Sequence, residues 1–149
     1  PILRSTATKV KEKTVIGRID KVDLPEFNIK DMPTKIDTGA YTSSIHCTKI
    51  KQVEDTLYFQ IPRSDKKDVG NFSTTHFYEK KIRSSNGKSE RRFIIKTSIV
   101  LFNKSYKTEF SLSNRSSMKN PILLGRKLLK NRFIVDISQA NLSYKAKSK

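Results

Sequence analysis

Met32-Pro33-Thr34-Lys35-Ile36-Asp37-Thr38-Gly39-Ala40-Tyr41-Thr42-Ser43-Ser44-Ile45 is the stretch on which the reading of this chain turns. An apolar residue, Ile36, runs directly into an acid, and Thr, Gly and Ala follow. That order suits a strand end that delivers a carboxylate into a tight turn. Thr38 can bond the turn backbone, Gly39 lets a ligand or a second backbone come close, and Ala40 avoids crowding. Taken alone, Asp-Thr-Gly describes an ordinary Asx-type turn equally well.

Working outward, the flanks read as β-structure. Towards the N-terminus, residues 14–19 predict a short strand, and residues 22–29 a turn with alternating apolar anchors. Pro25 and Pro33 argue against helix there. Residues 1–13 are polar, basic and aperiodic, and read as a flexible arm. Beyond the Asp37 turn, residues 44–47 carry the chain away as a strand. Residues 53–61 place Leu57, Phe59 and Ile61 at period two, as in a half-buried strand. Residues 62–71 form a polar loop, β-character resumes over 72–83, and Ser84-Ser85-Asn86-Gly87 breaks it. Asn-Gly between such flanks is a hairpin signal.

The longest strand-like run is 93–102, turned by Asn103-Lys104-Ser105 into the alternation Tyr106, Thr108, Phe110, Leu112. Residues 122–124 predict a short buried strand, 125–131 a helical turn and 133–137 a last strand. Residues 141–149 read as a basic, frayed tail. Many short strands with one short C-terminal helix predict an all-β, closed barrel, as a single domain over residues 14–140.

Composition bounds the partners. Lys and Arg number 31 against 14 Asp and Glu, a net charge of +17 that attracts polyanions such as acidic peptide, nucleic acid or an anionic membrane. The lysines are spread along the chain, so a basic but solvated surface explains the charge as well. Zinc-finger, RNP1 and P-loop signatures are missing, and the nucleic-acid idea rests on charge alone. No run of about 18 apolar residues predicts a membrane-spanning helix. The residues at the start carry no signal-peptide core, and a single cysteine, Cys47, fits a reducing compartment such as the cytoplasm.

A second stretch, Pro121-Ile122-Leu123-Leu124-Gly125-Arg126-Lys127-Leu128-Leu129, lifts the Asp37 turn above the ordinary. Together the two resemble the retropepsin-like aspartic peptidases, in which an Asp-Thr-Gly-Ala loop is followed late in the chain by an apolar triplet, Gly-Arg and a short helix. The closer resemblance is to a bacterial branch labelled ATP-dependent zinc protease and associated with RimK-type ATP-grasp ligases. Its motifs occur here in order: Lys-x-Asp-Thr-Gly-Ala-x-Thr-Ser at 35–43, Ser-Asn-Gly with a basic tail at 85–92, Asn-Arg-x-x-Met at 114–118 and Leu-Leu-Gly-Arg at 123–126.

Peptide hydrolysis by carboxylates needs two of them around one water, sharing a proton, so that one activates the water while the other polarises the scissile carbonyl. The chain has one Asp-Thr-Gly. Asp136 follows an apolar run but lacks the turn, and reads as a strand-end or loop-bonding residue. The resemblance therefore implies a two-fold homodimer contributing Asp37 twice. It also implies that Thr38 bonds across the axis and that Gly39 offers its backbone to an extended peptide substrate. Ala40, where single-chain pepsins usually carry Ser, implies a less acidic optimum.

The resemblance further implies that Ser85, Asn86 and Gly87 form a flap tip that closes over substrate. Arg91 and Arg92 would line the cleft and hold an acidic side chain, with a plain hairpin and solvated arginines as the alternative. Gly125 and Arg126 support the loop. In retropepsins that Arg pairs with an acid just beyond Asp-Thr-Gly-Ala. Here the position is Tyr41, leaving a backbone carbonyl, another acid or substrate as its partner. The stretch between Asp37 and Gly87 is also longer than in viral enzymes, implying added structure near the cleft.

No cofactor follows from the residues. His46, Cys47 and His76 are the chain's His and Cys, without a zinc-ligand motif, and no loop cradles phosphate. Ser43 and Ser44 lack a base for serine chemistry. The functional expectation is an aspartic endopeptidase acting on peptides, including acidic, glutamate-rich ones. The alternative is a non-catalytic basic β-barrel that binds acidic partners or RNA.

Overall fold

The computed structural model describes residues 12–62, 69–83, 87–114 and 119–147. Its strands are β1 (Thr14–Ile16), β2 (Ile19–Leu24), β3 (Ile29–Ile36), β4 (Ser43–His46), β5 (Thr48–Val53), β6 (Thr56–Pro62), β7 (Val69–Thr74), β8 (Phe77–Arg83), β9 (Ser89–Leu101), β10 (Lys104–Ser113), β11 (Ile122–Leu124) and β12 (Phe133–Val135). A 3-10 turn covers Pro25–Phe27, and two short helices follow late, α1 (Arg126–Leu129) and α2 (Leu142–Lys147).

Six strands close on themselves in the order β10-β4-β11-β3-β2-β9 and back to β10, with β8 added outside on β9. Alternation in the sequence dictates what the ring encloses. Ile95, Ile99 and Leu101 of β9, Phe110 and Leu112 of β10, and Val22 and Leu24 of β2 are buried at every second position. Closure leaves the ring without free edges. The fold is the all-β barrel expected, with two short helices rather than one.

The local readings need correction where punctuation misled them. Residues 22–29 are not one turn. They span the end of β2, the Pro25–Phe27 turn and the start of β3, with Asn28 in the left-handed region (φ 55°) closing the turn. Pro33 sits within β3 opposite Lys21, one residue before β11 begins to pair at Thr34, so the strand accommodates it. The strand expected over residues 53–61 is divided, since β5 ends at Val53 and β6 begins at Thr56. Residues 72–83 are likewise divided between β7 and β8. The β9–β10 turn is tighter than expected. Leu101 pairs with Lys104, and Phe102 and Asn103 both have positive φ (53° and 60°), the signature of a two-residue type I′ hairpin.

The inserted segment between Asp37 and the β8–β9 hairpin forms the three-stranded sheet β5-β6-β7. It is anchored to the barrel through edge-on contacts of Phe27 with Phe59 and Phe72, at centroid distances of 5.6 and 5.4 Å.

The C-terminal segment, expected to be a frayed tail, is instead docked through residue 147. Buried Asp20 accepts the backbone N–H groups of Ser143 and Tyr144 (2.9 and 3.1 Å), capping the start of α2, and Ser143 Oγ accepts the Phe102 N–H. At the far end, the Lys147 ammonium donates to Asp23 and Asp31, each at 2.8 Å. Partial burial pushes the Asp23 carboxyl up. Hydrogen bonds from Lys147 and the Asp31 N–H outweigh that and hold it below its ordinary 3.8. Lys147 is raised above its ordinary 10.5, through its hydrogen bonds to Asp23 and Asp31.

The two signs bound a window. A lowered acid stabilises docking above its ordinary value and loses that contribution as pH falls through the folded value; a raised lysine stabilises below its ordinary value and loses it as pH rises through the folded one. Amide-exchange protection at Ser143 and Tyr144 is therefore expected to be flat through neutrality and to fall below the usual carboxylate range. In Lys147→Ala the neutral plateau should drop and the Asp23-linked step should shrink.

Candidate active site

Two chain ends meet at the site. β3 and β11 lie side by side in parallel, with Ile36 opposite Leu124, so Asp37 and Gly125 leave the barrel at the same level. The Asp37 N–H donates to the Leu124 carbonyl at 2.9 Å, carrying the pairing one residue past the strand end. The turn then closes on itself. Gly39 N–H donates to Asp37 Oδ1 at 2.9 Å, and Ala40 N–H to the Asp37 carbonyl at 3.3 Å. Asp37 is half-buried, Thr38 and Gly39 are exposed and Ala40 is half-buried.

The start of α1 clamps this turn. The first N–H groups of a helix lack intrahelical partners, and here they find the loop's carbonyls: Arg126 N–H donates to Ala40 (2.8 Å) and Lys127 N–H to Tyr41 (2.9 Å). Arg126 Nη1 donates to the Thr38 carbonyl at 2.9 Å, and its guanidinium lies 5.8 Å from the Tyr41 ring centroid. The partner of Arg126 is thus a backbone carbonyl. Gly125 N–H donates to Ser43 Oγ (3.1 Å), and Ser43 is buried. Sequence reasoning misses this role of Ser43 because it weighs only nucleophilic chemistry there. Its position two residues after Tyr41 is the available signal.

The β8–β9 hairpin stands across a small cavity of about 70 Å³ from the outgoing end of the loop. Tyr41, Thr42 and Ser43 line one side, and Tyr78, Lys80 and Ile94 another. Of the expected flap-tip residues, Gly87 has φ +86° and is exposed, while Ser85 and Asn86 lie outside the described residues, as do residues 115–118 of the Asn-Arg-x-x-Met motif. Arg91 and Arg92 are engaged by the hairpin's own glutamates: Arg91 Nε donates to Glu79 at 2.6 Å, and Arg92 stands 3.6 Å from Glu90. No described residue of the β5–β7 sheet lines the small cavity.

Other sequence candidates fall elsewhere. Asp136 caps a turn, accepting from the N–H and hydroxyl of Ser138 (3.0 and 2.6 Å), which hold its carboxyl below the ordinary range. His46 and Cys47, adjacent in sequence, are both buried, and burial pushes the Cys47 thiol far up. His76 is exposed. Among the described residues no three His, Cys, Asp or Glu side chains gather as a metal site. A larger cleft, about 580 Å³, lies beyond α1 and includes none of residues 37–42.

An acid-bearing turn at the end of a barrel strand, stitched to a Gly-Arg helix start, defines the retropepsin-like class. Comparison makes it specific: residues 15–146 match the RimB-like family, described as retropepsin-like aspartic endopeptidase RimB, and the chain belongs to that family. A crystal structure of Lpg0085, a protein of unknown function (DUF785) from Legionella pneumophila, is similar with a TM-score of 0.73 at 25% identity, covering 89% of this chain and 99% of that one. Two "Probable alpha-L-glutamate ligase" proteins are also similar. That of Desulfotalea psychrophila is 34% identical over 130 residues, and that of Shewanella pealeana 31% over 134. The alignments cover 83% and 86% of this chain but 28% and 29% of those proteins, so the chain spans less than a third of their length. No helix is long and apolar enough to cross a membrane among the described residues.

Proposed function

We propose that the protein is a homodimeric aspartic endopeptidase of the bacterial cytoplasm, in which Asp37 of each copy faces the other across a two-fold axis with the nucleophilic water between them. The observation that carries this reading is the loop itself: a half-buried carboxylate held by the Gly39 N–H, on a turn whose backbone is tied to Leu124 and Arg126 at the rim of the barrel, without a second Asp-Thr-Gly in the chain. A lone protomer cannot supply the dyad, and a second copy would supply both the acid and the missing wall of a cleft.

The β1–β12 ribbon offers a surface that would suit that copy. β1 and β12 pair in parallel as a separate ribbon, packed on the core through Ile16 and Phe133 and carrying Val15 and Ile134 outward, with Ile137 just beyond, at 44%, 54% and 77% exposure. The segment after β1 reaches the site, because the Arg18 carbonyl accepts the Ile36 N–H. Exposed apolar groups on adjoining strands suit burial against a second copy.

For the substrate, the +17 charge and the ligase names of the similar proteins both favour acidic, glutamate-containing peptides. The chain is expected to cleave oligoglutamate faster than a neutral peptide of equal length, with the advantage shrinking as salt rises. Equal rates on the two peptides at low salt would remove the acidic preference. An RNA mobility shift that is salt-sensitive and unchanged by Asp37→Asn, without peptide cleavage, would favour the binding-barrel reading.

A further inference from the structure

The 580 Å³ cleft beyond α1 includes none of residues 37–42, and its lining is strongly cationic. Lys96 on β9, Lys107 on β10, Lys127 on α1 and Arg132 just after it line it, against Glu26 and Glu109. Glu109 is already satisfied: it accepts from Tyr78 Oη at 2.6 Å and stands 3.4 Å from the Lys127 ammonium. Arg132 spends one N–H on the Leu128 carbonyl (2.9 Å), keeping the rest of its fork available. Lys107 and Lys96 make no close ion pair among the described residues and are exposed, although Lys96 lies across from Glu109 on the β9–β10 ladder and adds to the cations that hold that carboxyl down, which leaves four cations against two carboxylates. The cleft therefore carries uncompensated positive charge in a recess of the size that ordinarily holds a ligand, about 300–1,000 Å³.

The kind of anion follows from what the walls lack. Single-stranded nucleic acid needs open aromatic faces on which bases stack. No Phe, Tyr or Trp lines this cleft, where the one ring is the exposed His76 imidazole, and Tyr78 and Tyr106 are covered by the protein's own cations, Lys96 at 5.6 Å and Arg132 at 5.9 Å. The walls offer hydroxyls instead, from Ser98 and Thr108, beside the lysines. Spaced ammonium groups, a guanidinium fork and hydroxyl donors suit side-chain carboxylates and peptide carbonyls.

We propose that this cleft is a docking site for a carboxylate-rich peptide segment, separate from the Asp37 loop. An acidic chain would be held there at a distance from the bond being cut. Naming that segment as part of the enzyme's own substrate rests on the peptidase reading; the docking itself does not. α1 links the two places, since Lys127 gives its N–H to Tyr41 in the loop and its ammonium to Glu109 in the cleft.

The test is binding of dye-labelled oligoglutamate to the full chain carrying Asp37→Asn, read by fluorescence anisotropy at low salt. Adding Lys96→Gln with Lys107→Gln should weaken binding roughly tenfold, and Lys107→Gln alone severalfold. Lys49→Gln with Lys51→Gln, the same charge removed from exposed β5, should change it less than about twofold. Thermal unfolding of each variant checks the fold, and Lys107→Gln serves if the double variant is unstable. Undetectable binding, or equal loss from the cleft and β5 pairs, overturns the proposal. So does tighter binding of an oligouridine of matched length that is lost with the cleft pair. Because the protein is already inactivated at Asp37, failure here leaves the peptidase reading standing, and loss of that reading leaves this result interpretable.

Discussion

Asp37→Asn is expected to reduce peptide cleavage by about 10³-fold or more while leaving the fold intact. The side chains are nearly isosteric, and the amide oxygen can still accept the Gly39 N–H that Asp37 Oδ1 accepts at 2.9 Å. The Leu124 and Arg126 contacts to the loop involve backbone atoms of residues 37 and 38 and are not touched. What disappears is the ability to take a proton from water, in both copies at once if the dyad is built from two chains. Initial rates followed by mass spectrometry, beside a thermal unfolding curve, separate the two effects. Cleavage that survives with the fold intact would mean that Asp37 is a turn residue and that hydrolysis, where seen, belongs to other groups.

Gly125→Ala is expected to cost the site heavily in stability. Gly125 has an extended backbone (φ −99°, ψ 179°) that any residue can adopt, so the difficulty is space. A Cβ there would lie 2.7 Å from the carbonyl oxygens of both Tyr41 and Thr42. These are backbone atoms, and Tyr41 is already tied to α1 by the Lys127 N–H, so they cannot swing aside as a side chain would. Relief requires moving β11 and the loop apart, which strains the Gly125–Ser43 and Asp37–Leu124 bonds. Overpacking of this kind costs about 1–3 kcal/mol or more, a fall in Tm of roughly 3–12 °C for a chain of this size. Activity should fall further than stability, because the displaced atoms carry Asp37. A Gly125→Ala variant as stable and active as the parent would show that the close approach of the two segments is not needed.

The parts of the site that were legible in the sequence are those written locally. Ile36-Asp37-Thr38-Gly39 announces a strand running into a turn, and Ile122-Leu123-Leu124-Gly125-Arg126 a buried strand running into a helix. That β3 and β11 are parallel neighbours leaves no periodic trace, since the pairing joins distant segments; the resemblance to a family brought them together. The partner of Arg126 was equally silent, because a backbone carbonyl has no letter of its own. β2 and β3 were hidden by Pro25 and Pro33, which punctuate a sequence more strongly than they disturb this structure.

α2 escapes the sequence for a different reason. Leu142-Ser143-Tyr144-Lys145-Ala146-Lys147 has no apolar stripe to announce a helix, and six residues are too few to be helical on propensity alone. Its order comes from Asp20, more than a hundred positions away, whose buried carboxylate caps it. Long-range capping of this kind is invisible to periodicity.

The central claim is that one acid per chain meets its twin. The most direct measurement is the separation of the two Asp37 carboxylates in a crystal structure of the protein in its solution oligomer. The account predicts a two-fold dimer with those carboxylates about 3 Å apart, sharing one water. A monomer in solution at working concentration, or a dimer whose Asp37 side chains are farther apart than one water can bridge, would contradict it.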